Sequence, residues 1–67
     1  QSRFEGSDRQ GRGRLVAALR EVGRLGPDEV AGAAGWPDDP DRADTAMASL
    51  VRDGLAVEQD DGSVRLP

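Results

Sequence analysis

The hydrophobic period of this chain changes at Gly54. Before it, Ala43, Ala46, Met47, Leu50 and Val51 recur at i, i+3, i+4, i+7 and i+8, one face of an α-helix. After it, Leu55 and Val57 alternate with Ala56 and Glu58, and Val64 and Leu66 alternate with Ser63 and Arg65, the period of a strand. Gln59-Asp60-Asp61-Gly62 separates the two runs, and Asp-Gly is a strong hairpin signal. A helix that stops at a glycine and passes straight into a hairpin leaves few folds open to 67 residues. A chain of that length is one domain at most and buries only about 60% of the surface it exposes when unfolded. Nine of its apolar residues are alanines, and it has no Ile or Tyr. Such a core supports one thin layer of packing and no deep pocket beside it.

The elements before Gly54 follow from local signals. Asp8 is placed to cap a first helix running to about Arg24, with Leu15, Ala18, Leu19 and Val22 on one face. Gly11 and Gly13 each weaken its first turns by about 1 kcal/mol, so the helix proper is allowed to begin later. Gly23 and Gly26 mark its end. Pro27, followed by Asp28 and Glu29, opens a short second helix over about Pro27–Ala34, with Val30, Ala31 and Ala34 apolar and Gly35 as its C-terminal cap. Trp36-Pro37-Asp38 connects to a third helix capped by Asp39 with Pro40 at its first position. Trp36 is expected to fold back over the core as a lid. The expected fold class is α+β: a winged helix, with a three-helix helix-turn-helix core and a C-terminal β-hairpin wing. Residues 1–7 read as a linker or arm, and 8–67 as the winged-helix domain. Phe4 is the exception in the arm, a lone aromatic suited to covering the core or meeting a partner. The chain begins at Gln1 without an initiator Met and reads as a piece of a longer protein.

Several classes of chemistry are excluded by composition. Without Cys or His the chain has no disulfide, no thiolate nucleophile and no zinc-finger or iron–sulfur ligands of its own. Ser7, Ser49, Ser63 and Thr45 have no imidazole base to activate them. Asp38, Asp39, Asp41 and Asp44 are read as caps and a solvated face, because a raised carboxylate pKa needs burial. Gly11-Arg12-Gly13 lacks the preceding strand and the spacing of a phosphate-cradling loop. No catalytic, cofactor or metal residue is expected, nor a small-molecule substrate. No apolar run is long enough to span a membrane and no signal segment is present, so a cytoplasmic location is expected.

Charge is distributed unevenly. The net charge is −4, from nine basic residues, all Arg, and thirteen acids. Residues 1–24 carry six Arg against Glu5, Asp8 and Glu21, while residues 25–67 carry three Arg against ten acids. In a helix-turn-helix the second helix of the motif enters the major groove. Here that is the third helix, whose outward Arg42, Thr45, Ser49 and Arg52 are candidate contacts to double-stranded DNA. The aspartates at its leading end and the Asp60-Asp61 wing tip oppose phosphate. Arg3, Arg9, Arg12 and Arg14 form the other candidate surface, for DNA or for an acidic neighbouring domain.

One stretch carries a family resemblance. Phe4-Glu5-Gly6-Ser7-Asp8-Arg9-Gln10-Gly11-Arg12-Gly13-Arg14-Leu15 resembles a block that follows the iron–sulfur cluster in some archaeal and actinobacterial adenine-specific DNA glycosylases, which act on A opposite G or 8-oxoguanine. Leu50-Val51-Arg52-Asp53-Gly54-Leu55 is similar to the pattern in their winged-helix-like tail. The resemblance implies a parent enzyme of base-excision repair whose carboxylates, helix-hairpin-helix and 4Fe-4S cluster lie upstream. This segment is then a C-terminal accessory module, not an enzyme by itself, partnered by the catalytic domain and by double-stranded DNA. Two other readings stand beside it: a helix-turn-helix transcription regulator, and a winged helix that binds protein and makes no direct DNA contact.

Overall fold

Glycines set the element boundaries in the computed structural model, which describes residues 8–67. Helix α1 spans Asp8–Val22 and ends because Gly23 takes a left-handed φ of +83°, donating its N–H to the Leu19 carbonyl at 2.8 Å. The chain then forms a short strand β1, Arg24–Leu25, where the first helix was expected to end and no strand was foreseen. The second helix begins as a single 3-10 turn, Pro27–Glu29, and continues as α2, Val30–Ala34. Glu29 reaches back to accept the Gly26 N–H at 2.7 Å. Gly35, at φ +85°, ends α2 as expected, and the Trp36 N–H closes the cap on the Ala31 carbonyl at 3.0 Å.

Helix α3 spans Pro40–Arg52, with the Asp39 carboxylate accepting from the Arg42 N–H at 3.2 Å. Its C-terminal cap explains one departure from the alternation. Gly54 donates to Val51 at 3.1 Å and Leu55 to Leu50 at 2.9 Å. With its N–H held by the helix, Leu55 cannot join a strand, and it stays 48% exposed while Ala56 turns into the core. Strands β2, Val57–Glu58, and β3, Val64–Arg65, follow. The turn between them has positive φ only at Gly62, and Gly62 donates to the Gln59 carbonyl at 3.0 Å. That is a three-residue hairpin loop with glycine in the left-handed position.

The sheet is antiparallel in the order β1-β3-β2. Leu25 lies opposite Val64 across one ladder, and Glu58 opposite Val64 across the other. Strand β1 thus ties the end of α1 to the wing. The chain is a small α+β domain of three helices and a three-stranded sheet, an order compatible with a winged helix.

One cluster of buried side chains joins the layers: Leu15 and Leu19 from α1, Leu25, Val30 and Ala34, then Ala43, Met47 and Leu50 from α3, with Val64 from the wing. Val22 was expected in this core but is 62% exposed. It shares a helical azimuth with Leu15, yet α1 runs past its packing partners there, and Leu25 supplies the apolar group instead. Ser63 was expected to face water with Arg65 but is buried. It is tolerated because its single hydroxyl proton bonds the Asp61 carboxylate, with Gln59 Oε1 a second, longer neighbour at 3.1 Å.

Three expectations for α1 change. The helix starts at Asp8 despite its two glycines, and Asp8 is inside it rather than capping it. Gly11 is buried because the Trp36 ring lies against its Cα, so that a Cβ there would fall within 2.7 Å of three ring carbons. Trp36 itself is partly buried against the core, as expected of a lid. The arm at 1–7, with Phe4 and Arg3, lies outside the described residues. No helix among the described residues is long and apolar enough to cross a membrane.

Candidate functional site

Helix α3 advances about 100° per residue, so its core stripe leaves two flanks exposed. One faces α1. Arg42, Thr45, Ala46 and Ser49 of α3 meet Asp8 and Arg12 of α1 around a groove of about 440 Å³. Four of the candidate contact residues, Arg12, Arg42, Thr45 and Ser49, are thereby brought together from two elements.

Each has an internal tie. Arg12 donates to the Asp53 carboxylate at 2.8 Å. The Arg42 guanidinium lies 4.0 Å from the centroid of the Trp36 ring and bonds the Asp8 carboxylate at 2.9 and 3.0 Å. This stack fixes Arg42 at the base of the groove and closes the seam between the start of α1 and the start of α3. Exposed ion pairs of this kind contribute about 0–1 kcal/mol each, so their value is in orientation. Thr45 donates its hydroxyl to the Asp41 carbonyl at 2.9 Å, and Ser49 to the Ala46 carbonyl at 2.6 Å. With their protons turned inward, both oxygens keep lone pairs for an outside donor. Arg12, with one carboxylate partner for a five-donor fork, keeps donors for an acceptor such as phosphate.

The remaining candidates sit elsewhere. Arg9 and Arg14 line a shallow depression with Gln10, Gly13 and Ala17, away from Arg12. Arg14 lays its stem over Gly35, its Cδ 3.2 Å from where a Cβ on that glycine would stand. Arg52 is exposed, with Nε 3.7 Å from Asp53. The arginines of the first helix therefore do not form one surface. Nor do the two halves of the chain stay electrically apart: Arg12–Asp53 and Arg24–Asp61 pair early arginines with late carboxylates.

The second flank of α3 faces the hairpin. Val30, Met47, Val51 and Val64 floor a cleft of about 250 Å³, with Asp44 and Glu58 at its rim. The sequence hinted at the acidic rim but not at the apolar floor, because the floor residues come from three elements.

Among the described residues, no three carboxylates are grouped to hold a metal ion. The surroundings of Asp61 lower its pKa, chiefly through the Ser63 hydroxyl and then the Ser63 N–H at 2.9 Å, with Arg24 a smaller contributor. A carboxylate with a depressed pKa adds stability above the ordinary aspartate value and loses it as pH falls through the depressed one. Wild type should therefore outlast Asp61→Asn in urea at neutral pH, and the two midpoints should converge as the solution is acidified below the ordinary aspartate range. A gap that stays constant down to the most acidic point would show that the charge on Asp61 does not hold the wing turn.

No family model matches the chain, and no solved structure matches it. Over 68 residues it is 40% identical to an adenine DNA glycosylase of Mycolicibacterium smegmatis. The aligned stretch covers 96% of this chain and 22% of that protein, so the chain spans about a fifth of the relative's length.

Proposed function

We propose that this segment is an accessory winged-helix module of an adenine DNA glycosylase of base-excision repair, and that it engages duplex DNA through the groove between α1 and α3. The observation that carries the reading is the 40% identity across nearly the whole segment to part of such an enzyme. The helix–strand–helix–helix–strand–strand order agrees with it. The groove supports the DNA face, since Arg12, Arg42, Thr45 and Ser49 converge there and α3 is the second helix of the helix-turn-helix pair. Guanidinium and hydroxyl groups are the side chains that most often meet phosphate oxygens and sugars.

In this reading the module positions and does not catalyse. Removal of the adenine, the carboxylates that perform it and a 4Fe-4S cluster belong to the upstream catalytic part. The module adds phosphate contacts to an enzyme that must hold a duplex while its target base is out of the stack.

The test uses the full-length protein. Removing residues 8–67 should weaken binding to a duplex carrying A opposite 8-oxoguanine or G, and make the remaining binding less sensitive to added salt. Thr45→Glu, which places a carboxylate on an exposed position of the groove, should reproduce part of that loss with the melting temperature unchanged. Unaltered binding and turnover in both proteins would refute the reading.

A further inference from the structure

We infer that the cleft between α3 and the β2–β3 hairpin is a docking groove for a basic, apolar-anchored peptide segment of a separate protein. This goes beyond the DNA-side reading and concerns the opposite flank of α3. The floor is apolar: Val30, Met47 and Val64 are almost wholly buried, and Val51 partly so. Met47 brings an unbranched, polarizable side chain that adapts to an inserted group. At about 250 Å³ the cleft falls below the usual range for small-molecule sites, roughly 300–1,000 Å³, and suits one or two inserted side chains.

The rim decides the chemistry of the occupant. Asp44 and Glu58 are exposed, and among the described residues neither has an ion-pair partner. Among the described residues the ion pairs join other acids: Asp8 with Arg42, Asp53 with Arg12 and Arg52, Asp61 with Arg24. No arginine lines the cleft. A nucleic acid would bring phosphates against those two carboxylates, which repel it. A peptide that inserts an apolar side chain and carries Lys or Arg beside it satisfies both floor and rim. Charge complementarity of this sort sets which partner binds, and the apolar anchor holds it.

The test uses the 67-residue chain labelled with ¹⁵N, titrated with a synthetic lysine-rich peptide carrying two leucines one helical turn apart. The amides of Ala48, Val51, Gly62 and Val64 should shift, with those of Arg12, Thr45 and Ser49 unmoved. The leucine-to-serine peptide should not bind. Asp44→Lys with Glu58→Lys should weaken binding about tenfold while leaving the melt unchanged, since both side chains are exposed. No shift in the cleft, shifts on the α1 side, equal binding of the serine peptide, or unchanged affinity in the double variant would each overturn the proposal. Duplex binding by the full-length protein is read on the other flank of α3, so either reading can fail alone.

Discussion

Gly11→Ala should lower the thermal midpoint of the chain, and Gly13→Ala, two residues along the same helix, should raise it. Both changes gain about 1 kcal/mol of helix propensity. They differ in what the new methyl meets. A Cβ at Gly13 has nothing within 4 Å, whereas at Gly11 it falls within 2.7 Å of three carbons of the Trp36 ring. The ring cannot simply rotate away, because the Arg42 guanidinium stacks on it and its body packs against the core. Overpacking of this kind costs about 1–3 kcal/mol. The upper part of that range applies to a clash with three atoms of a rigid ring, leaving a net loss of about 1–2 kcal/mol. For a domain of this size that is about 4–15 °C, against a rise of about 4–8 °C for Gly13→Ala. Trp36 is the single tryptophan, so its emission reports the same event: red-shifted in Gly11→Ala, unchanged in Gly13→Ala. Trp36→Phe in the Gly11→Ala background should recover part of the loss, a coupling visible in a double-mutant cycle. Equal midpoints for the two alanine variants would mean that Trp36 is not seated on α1.

The contrast shows which parts of the fold the residues announce locally. Helix α3 was legible because its apolar stripe, its Asp39-Pro40 start and its Gly54 stop are all local signals. The hairpin was legible from the change of period and from Asp61-Gly62. Strand β1 was not, since two residues show no alternation and owe their order to pairing with β3 nearly forty residues on. Gly11 read as a weakness in a helix because its reason, Trp36, is remote in sequence. A signal was nevertheless present, since Gly11, Leu15, Ala18 and Leu19 stand at i, i+4, i+7 and i+8, which puts Gly11 on the core stripe. The site divides in the same way. Thr45 and Ser49 stand one helical turn apart and read as one outward flank. That Arg12 joins them while Arg9 and Arg14 do not depends on where α3 crosses α1, a tertiary fact. The hairpin-side cleft is tertiary throughout.

Leu15→Ala should lower the unfolding midpoint of the chain sharply, whereas Val22→Ser should scarcely change it. The two positions share one helical azimuth, so periodicity treats them alike. Leu15 is fully buried and Val22 is 62% exposed. Native domains hold about 0.05–0.15 kcal/mol per residue, which gives this chain about 3–10 kcal/mol in all. Truncating a buried leucine costs about 2–5 kcal/mol, a large share of that margin, while surface changes stay within about 0.5 kcal/mol. Urea denaturation followed by circular dichroism measures both, and a Leu15→Ala midpoint within error of wild type would contradict the core described above. The pair also bears on function. Leu15 and Leu19 seat α1 on Leu50 and its neighbours in α3, and that seat holds Arg12 beside Thr45 and Ser49. In the full-length protein Leu15→Ala should therefore weaken the module's contribution to duplex binding and lower its melt together. Thr45→Glu should remove part of the same contribution and keep the melt. Loss of binding with folding intact is the outcome that separates a contact surface from a scaffold, and it is the exposed groove positions, not Leu15, that can produce it.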